Sequence, residues 1–79
     1  MNWEEKDNRL EKLFVFKNFK EALAFVNKVG EIAEEMNHHS NITLQNYKEV
    51  LITTTTHDAG NTVTEKDRAL ASRIDSLIP

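Results

Sequence analysis

Apolar residues recur at two different spacings along the 79-residue chain, and each switch between them marks a new element. Trp3 to Asp7 reads as a short strand turned at Asp7-Asn8. Leu10 to Phe16, rich in aromatic and branched residues, reads as a second strand. Its alternation breaks where Leu13, Phe14, Val15 and Phe16 run together, which predicts burial on both faces for part of the strand. Phe19, Ala22, Leu23, Val26, Val29, Ala33 and Met36 then return at helical spacing and predict a helix over about 19–36. Asn18 and Glu21 form a capping-box-like pair at its start. Gly30 inside this helix costs about 1 kcal/mol against alanine, which predicts close packing on a neighbour.

Ile42 to Tyr47 and Lys48 to Thr56 are strand-like. In the second of these, Val50, Ile52, Thr54 and Thr56 share one face, and Leu51, Thr53, Thr55 and His57 the other. The threonine run Thr53 to Thr56 favours strand over helix. Asp58-Ala59-Gly60-Asn61 is a loop. Thr64 with Asp67 opens a second helix, with Leu70, Ala71, Ile74, Leu77 and Ile78 on one stripe. The order strand-strand-helix-strand-strand-helix predicts an α+β fold, a four-stranded antiparallel sheet with two helices packed on one face. Residues 1–79 are expected to form one domain.

Composition narrows the class. A chain of this size buries only about 60% of its unfolded surface, so a partner subunit is the expected source of extra stability. There is no cysteine, which excludes disulfides and thiolate metal sites. The net charge of -3 and pI near 5.5 come with scattered Lys and Arg, against direct nucleic-acid binding. No apolar run approaches a membrane span. The opening MNWEEKDNRL lacks the order of a secretory signal, so a soluble intracellular protein is expected.

Three histidines carry the candidate chemistry. His38 and His39 follow the first helix and His57 ends the last strand. Imidazole exchanges protons near neutral pH, so these ends would form a proton-transfer site if the fold gathers them. Glu34, four residues before His38, would share its face on a continuing helix. From the residues alone, surface histidines at element ends account for the pattern more readily. A metal site built from Glu34, His38, His39 and His57 is a third reading, against which stand the adjacency of two histidines and the lack of a His pair at i,i+4. Asp67 alone reads as a charge complementing a helix dipole.

The run Glu34-Glu35-Met36-Asn37-His38-His39-Ser40 resembles the signature of the pterin-4a-carbinolamine dehydratases, with Tyr47, His57 and Asp67 at matching distances. Phe14-Val-Phe-Lys-Asn-Phe19, Ala22, Phe25 and the ending Leu70-Ala-Ser-Arg-Ile74-Asp75 are also similar to this family, and the likeness runs from Trp3 onward. Three departures stand out. The chain looks like a short form lacking the N-terminal helix, Ser40 stands where proline is usual, and the loop between His57 and Asp67 is about one residue longer.

What the resemblance implies is dehydration of 4a-hydroxytetrahydrobiopterin to quinonoid dihydrobiopterin, in tetrahydrobiopterin recycling, with neither cofactor nor metal. His38 and His57 would be the main proton-transfer residues, with His39 binding or orienting the pterin. Glu34 and Asp67 would position or tune the imidazoles, and Trp3 would line the pterin face or merely pack on the sheet. A cytoplasmic homodimer or tetramer, without direct nucleic-acid or membrane contact, is the implied setting. The alternative within the same fold is a non-catalytic interaction module, a dimerisation cofactor of a transcription factor or an assembly factor.

Overall fold

Two antiparallel hairpins and two helices make up the computed structural model, which describes residues 3–78. β1 (Glu4–Lys6) turns into β2 (Arg9–Val15) through Asp7 and Asn8, both at positive φ, the two-residue hairpin geometry that short polar side chains tolerate. β3 (Asn41–Gln45) turns into β4 (Glu49–Thr54) through Asn46 and Tyr47, also left-handed. The sheet order is β1-β2-β4-β3, every pair antiparallel. The architecture is the α+β arrangement read from the pattern of elements.

α1 (Phe19–Met36) links β2 to β3 and occupies the predicted span. Its cap differs in detail from a standard box. The Asn18 side chain accepts from the Glu21 N–H at 2.9 Å, while the Glu21 carboxylate accepts from Lys17 N–H at 3.2 Å. Asn37, at φ 53°, ends the helix in a left-handed turn, and the His38 N–H donates back to the Ala33 carbonyl. α2 (Glu65–Asp75) follows a full capping box between Thr64 and Asp67.

The core joins Phe14, Val50 and Ile52 of the sheet to Phe25, Val29 and Ile32 of α1 and Leu70 and Ile74 of α2. Phe14 and Phe25 meet with tilted rings, centroids 4.7 Å apart and planes 46° from parallel. On β4 the predicted inward face holds, with Val50, Ile52 and Thr54 buried. On β2 the expected two-sided burial does not occur. Phe14 is buried, but Leu13 and Val15 are 46% and 59% exposed on the face that carries no helix. The aromatic-branched run is thus an alternating strand whose outer side happens to be apolar.

Three local expectations are corrected. Tyr47 and Lys48 belong to the β3–β4 turn rather than to strands. β4 stops at Thr54; Thr56 keeps an isolated bridge to Thr62, and His57 begins a single 3-10 turn, His57–Ala59. A Cβ placed on Gly30 meets no atom within 4 Å, so no close neighbour among the described residues explains that glycine. Among the described residues no helix is long and apolar enough to cross a membrane.

Candidate active site

The centre of the site is a carboxylate. Asp67 sits in the first turn of α2, where its Oδ2 accepts from the Thr64 backbone N–H at 3.0 Å as part of the cap. The packing of α2 over β4 buries it fully. Two hydroxyls of β4 and its continuation, on the inward face, reach it: Thr54 Oγ1 donates to Oδ1 at 2.6 Å and Thr56 Oγ1 to Oδ2 at 2.7 Å. The fourth neighbour is His38, with Nε2 2.6 Å from Oδ1. Burial pushes the Asp67 carboxyl upward. The bonds from His38, Thr54, the Thr64 amide and Thr56 outweigh it, and the net position is below the usual carboxylate range.

The end of α1 sets the directions of the two adjacent histidines. Because Asn37 turns left-handed, the helix does not continue to His38, and the expected shared face with Glu34 is lost. Glu34 reaches His39 Nε2 instead, in an exposed pair. The His38 side chain is only 10% exposed and turns inward to Asp67. His57, at the start of the 3-10 turn, is exposed, with Nδ1 2.6 Å from the Asn61 Oδ1. Asn61 is held in a left-handed conformation just after Gly60, also at positive φ.

His39 and His57 line one small depression with Arg9, Asn41, Thr53, Thr54 and Thr55. Its volume, about 40 Å³, suits a hydroxyl or a water rather than a whole bicyclic ring. Thr54 lies between the two: it borders the depression, while its buried hydroxyl faces Asp67 on the inner side of the sheet. Trp3 lies elsewhere. Its indole Nε1–H donates to the Asp75 carboxylate at 3.0 Å, its ring meets Phe14 edge-on, and it lines a separate cavity of about 390 Å³ with Leu10, Arg68 and Ala71. Tyr47, 63% exposed, is in the hairpin turn at the opposite end of β4 from His57. Among the described residues no three His, Asp or Glu side chains converge as a metal-donor set.

Among the described residues, each of the three imidazoles therefore has one ring nitrogen tied to a side-chain oxygen and the other without a side-chain partner. Such a set can give and accept protons with its rings held in place. Thr54, Thr56, Asn61 and Arg9 were not picked out from the sequence. A signal existed for two of them: Thr54 and Thr56 share the inward face of a strand, where a hydroxyl must find a buried acceptor.

The family described as "Pterin 4 alpha carbinolamine dehydratase" matches residues 1–77. A protein of Thermomicrobium roseum named "Putative pterin-4-alpha-carbinolamine dehydratase" is 49% identical over 75 residues, covering 95% of this chain and 78% of that protein. One of the same name from Sulfurisphaera tokodaii is 47% identical over 76 residues, 96% of this chain and 80% of that protein. Among solved structures, a "transcriptional coactivator/pterin dehydratase" of Brucella melitensis superposes with a TM-score of 0.88 at 29% identity, covering 99% of this chain and 83% of the other. A pterin dehydratase-like protein identified as a RuBisCO assembly factor in the alpha-carboxysome gives 0.81 at 29% identity, covering 98% and 89%.

Proposed function

Because the chain belongs to the pterin-4-alpha-carbinolamine dehydratase family, we propose that it dehydrates 4a-hydroxytetrahydrobiopterin to quinonoid dihydrobiopterin by general acid–base catalysis. The observation that carries this reading is the set of three imidazoles, each held through one nitrogen by Asp67, Glu34 or Asn61. The reaction breaks one C–O bond. A proton reaches the departing hydroxyl, which leaves as water, and a proton is withdrawn from the pterin ring; nothing is oxidised or reduced.

His39 and His57 border the depression, which receives the reacting hydroxyl while the ring lies over its mouth. His57, with Nδ1 on the Asn61 oxygen, offers Nε2 to the substrate. His38, behind them, is the proton-transfer group backed by buried Asp67, and Glu34 orients His39. The cavity at Trp3 shares no lining residue with this depression, so Trp3 acts in the reaction only if the pterin extends to it. Tetrahydrobiopterin recycling, a cytoplasmic setting and a homodimer or tetramer complete the reading, all three on the strength of the family likeness.

The test is rapid-mixing measurement of 4a-hydroxytetrahydropterin dehydration. Purified protein should accelerate it, and His38→Ala or His57→Ala should slow it by about 10²-fold or more with the fold intact. Wild-type-like rates in both folded variants would sink the site.

A second reading has its own support. The solved neighbours include a transcriptional coactivator/pterin dehydratase and a RuBisCO assembly factor, and Leu13, Val15, Phe19 and Leu23 are apolar and exposed. A non-catalytic interaction module would give no acceleration above background.

A further inference from the structure

We infer that Thr54 and Thr56 are positioning residues that hold the His38 ring in the Nε2–H tautomer, leaving Nδ1 as the nitrogen that exchanges a proton with substrate. That the exchange partner is a substrate rests on the dehydratase reading; the polarity of the network does not.

The protons around one buried carboxylate can be counted. Its two oxygens accept about four hydrogen bonds when ionised and offer a donor only when protonated. Oδ2 faces the Thr64 backbone N–H, which can only donate, and the Thr56 hydroxyl. Thr56 Oγ1 is also 2.7 Å from Thr64 Oγ1, which in turn accepts from the Lys66 N–H at 3.3 Å. One ordering satisfies every atom: Lys66 N–H to Thr64, Thr64 O–H to Thr56, Thr56 O–H to Asp67. Oδ1 faces the Thr54 hydroxyl and His38 Nε2. With donors on every other side, Asp67 stays ionised and can meet His38 only as an acceptor.

If a hydroxyl is lost, the balance changes. A buried carboxyl with fewer donors gains less from its charge, and a protonated Asp67 would donate to His38 Nε2 and fix the opposite tautomer. The competing account is that the two threonines merely satisfy a buried acid and stabilise the fold. That account predicts no effect on the ring of His38 in a folded variant.

Ring-nitrogen NMR on the full chain labelled with 15N-histidine separates the two, alongside dehydration kinetics. In the wild type, His38 at a pH where it is neutral should carry its proton on Nε2. Thr56→Val should populate the Nδ1–H form and lower kcat about 10-fold with KM within about twofold, the scale expected when an orienting partner is lost. Thr56→Ser, which keeps the hydroxyl, should restore both readouts. A folded Thr56→Val with an unchanged tautomer and wild-type kcat would overturn the inference, as would failure of Thr56→Ser to restore them. Should the valine variant not fold, the wild-type spectrum decides alone: an Nδ1–H His38 contradicts the network. An Nε2–H His38 in a protein that does not accelerate dehydration would refute the dehydratase reading and leave the positioning role standing.

Discussion

Replacing Asp67 by asparagine tests the buried network at its centre, since the shape is kept and only the charge and one acceptor are removed. The amide nitrogen has to take the place of one oxygen. At Oδ2 it would face the Thr64 N–H, which cannot turn away. At Oδ1 it faces the Thr54 hydroxyl, which can rotate, and His38, which can move its proton to the other nitrogen. The amide therefore settles that way round, and four bonds survive without charge assistance. A bond to a charged group contributes about 1 kcal/mol more than a neutral one, giving about 4 kcal/mol for the set. The smaller desolvation cost of a neutral amide returns part of this, so the net loss is about 2–3 kcal/mol. For a domain of this size that is a fall in Tm of about 10–20 °C.

The pH dependence supplies the sign. Asp67 in the folded chain lies below its ordinary value. Its contribution is therefore fully present above the unfolded value of about 3.9 and lost as pH falls through the lower folded value. The Asp67→Asn protein lacks this titration. Urea unfolding of both proteins, at one fixed protein concentration, should show the full gap at pH 6–7 and a shrinking gap below about pH 4. A gap under about 0.5 kcal/mol at pH 7 would refute the network's energetic role. So would a gap that is the same at pH 7 and pH 2.5.

Other expectations follow from single residues. Gly30→Ala should raise stability by about 0.5–1 kcal/mol in urea unfolding, because a methyl there meets nothing within 4 Å; a loss would reveal a neighbour from outside the chain. Ser40→Ala should stabilise by about 1 kcal/mol, since the Ser40 hydroxyl is buried without a partner among the described residues. Unchanged or lower stability would mean that the hydroxyl is satisfied. Asn61→Ala frees the His57 ring and should cut the dehydration kcat about 10-fold; because Asn61 is left-handed, alanine there also costs about 1 kcal/mol, a fall in Tm of about 4–8 °C that leaves the protein folded. A wild-type kcat would remove Asn61 from the site.

The elements were legible where local rules decide them. α1 begins at an Asn18 cap and runs on an apolar stripe, so its span followed from the chain itself. Strand ends were less legible. Tyr47 is left-handed in the β3–β4 turn, an uncommon place for an aromatic residue, and no glycine or proline marks it. Four threonines carried the strand pattern through to Thr56, although the sheet ladder stops at Thr54 and Thr56 keeps only its isolated bridge to Thr62. At the site, the cap role of Asp67 was legible because Thr64 precedes it by three residues. Its burial was not, because that depends on how α2 packs across β4. Which imidazole Glu34 meets was not legible, for a local reason: the left-handed Asn37 ends the helix before His38, handing Glu34 to His39 and His38 to Asp67.

The sheet order has a kinetic consequence. β1 pairs with β2 and β3 with β4 through short turns, but the central seam joins Val15 to Glu49, with α1 and β3 between them in sequence. Hairpins close in microseconds, whereas this seam must bring distant segments together before any contact rewards it. Leu70 and Ile74 of α2 share one buried cluster with Phe14, Val50 and Ile52, which come from both sides of the seam, so the first turn of α2 settles on His38 only once the seam is closed. In a refolding chain, proton-transfer activity should return with that closure and lag the backbone signal of hairpins and helices; activity rising in step with the earliest signal would contradict this order.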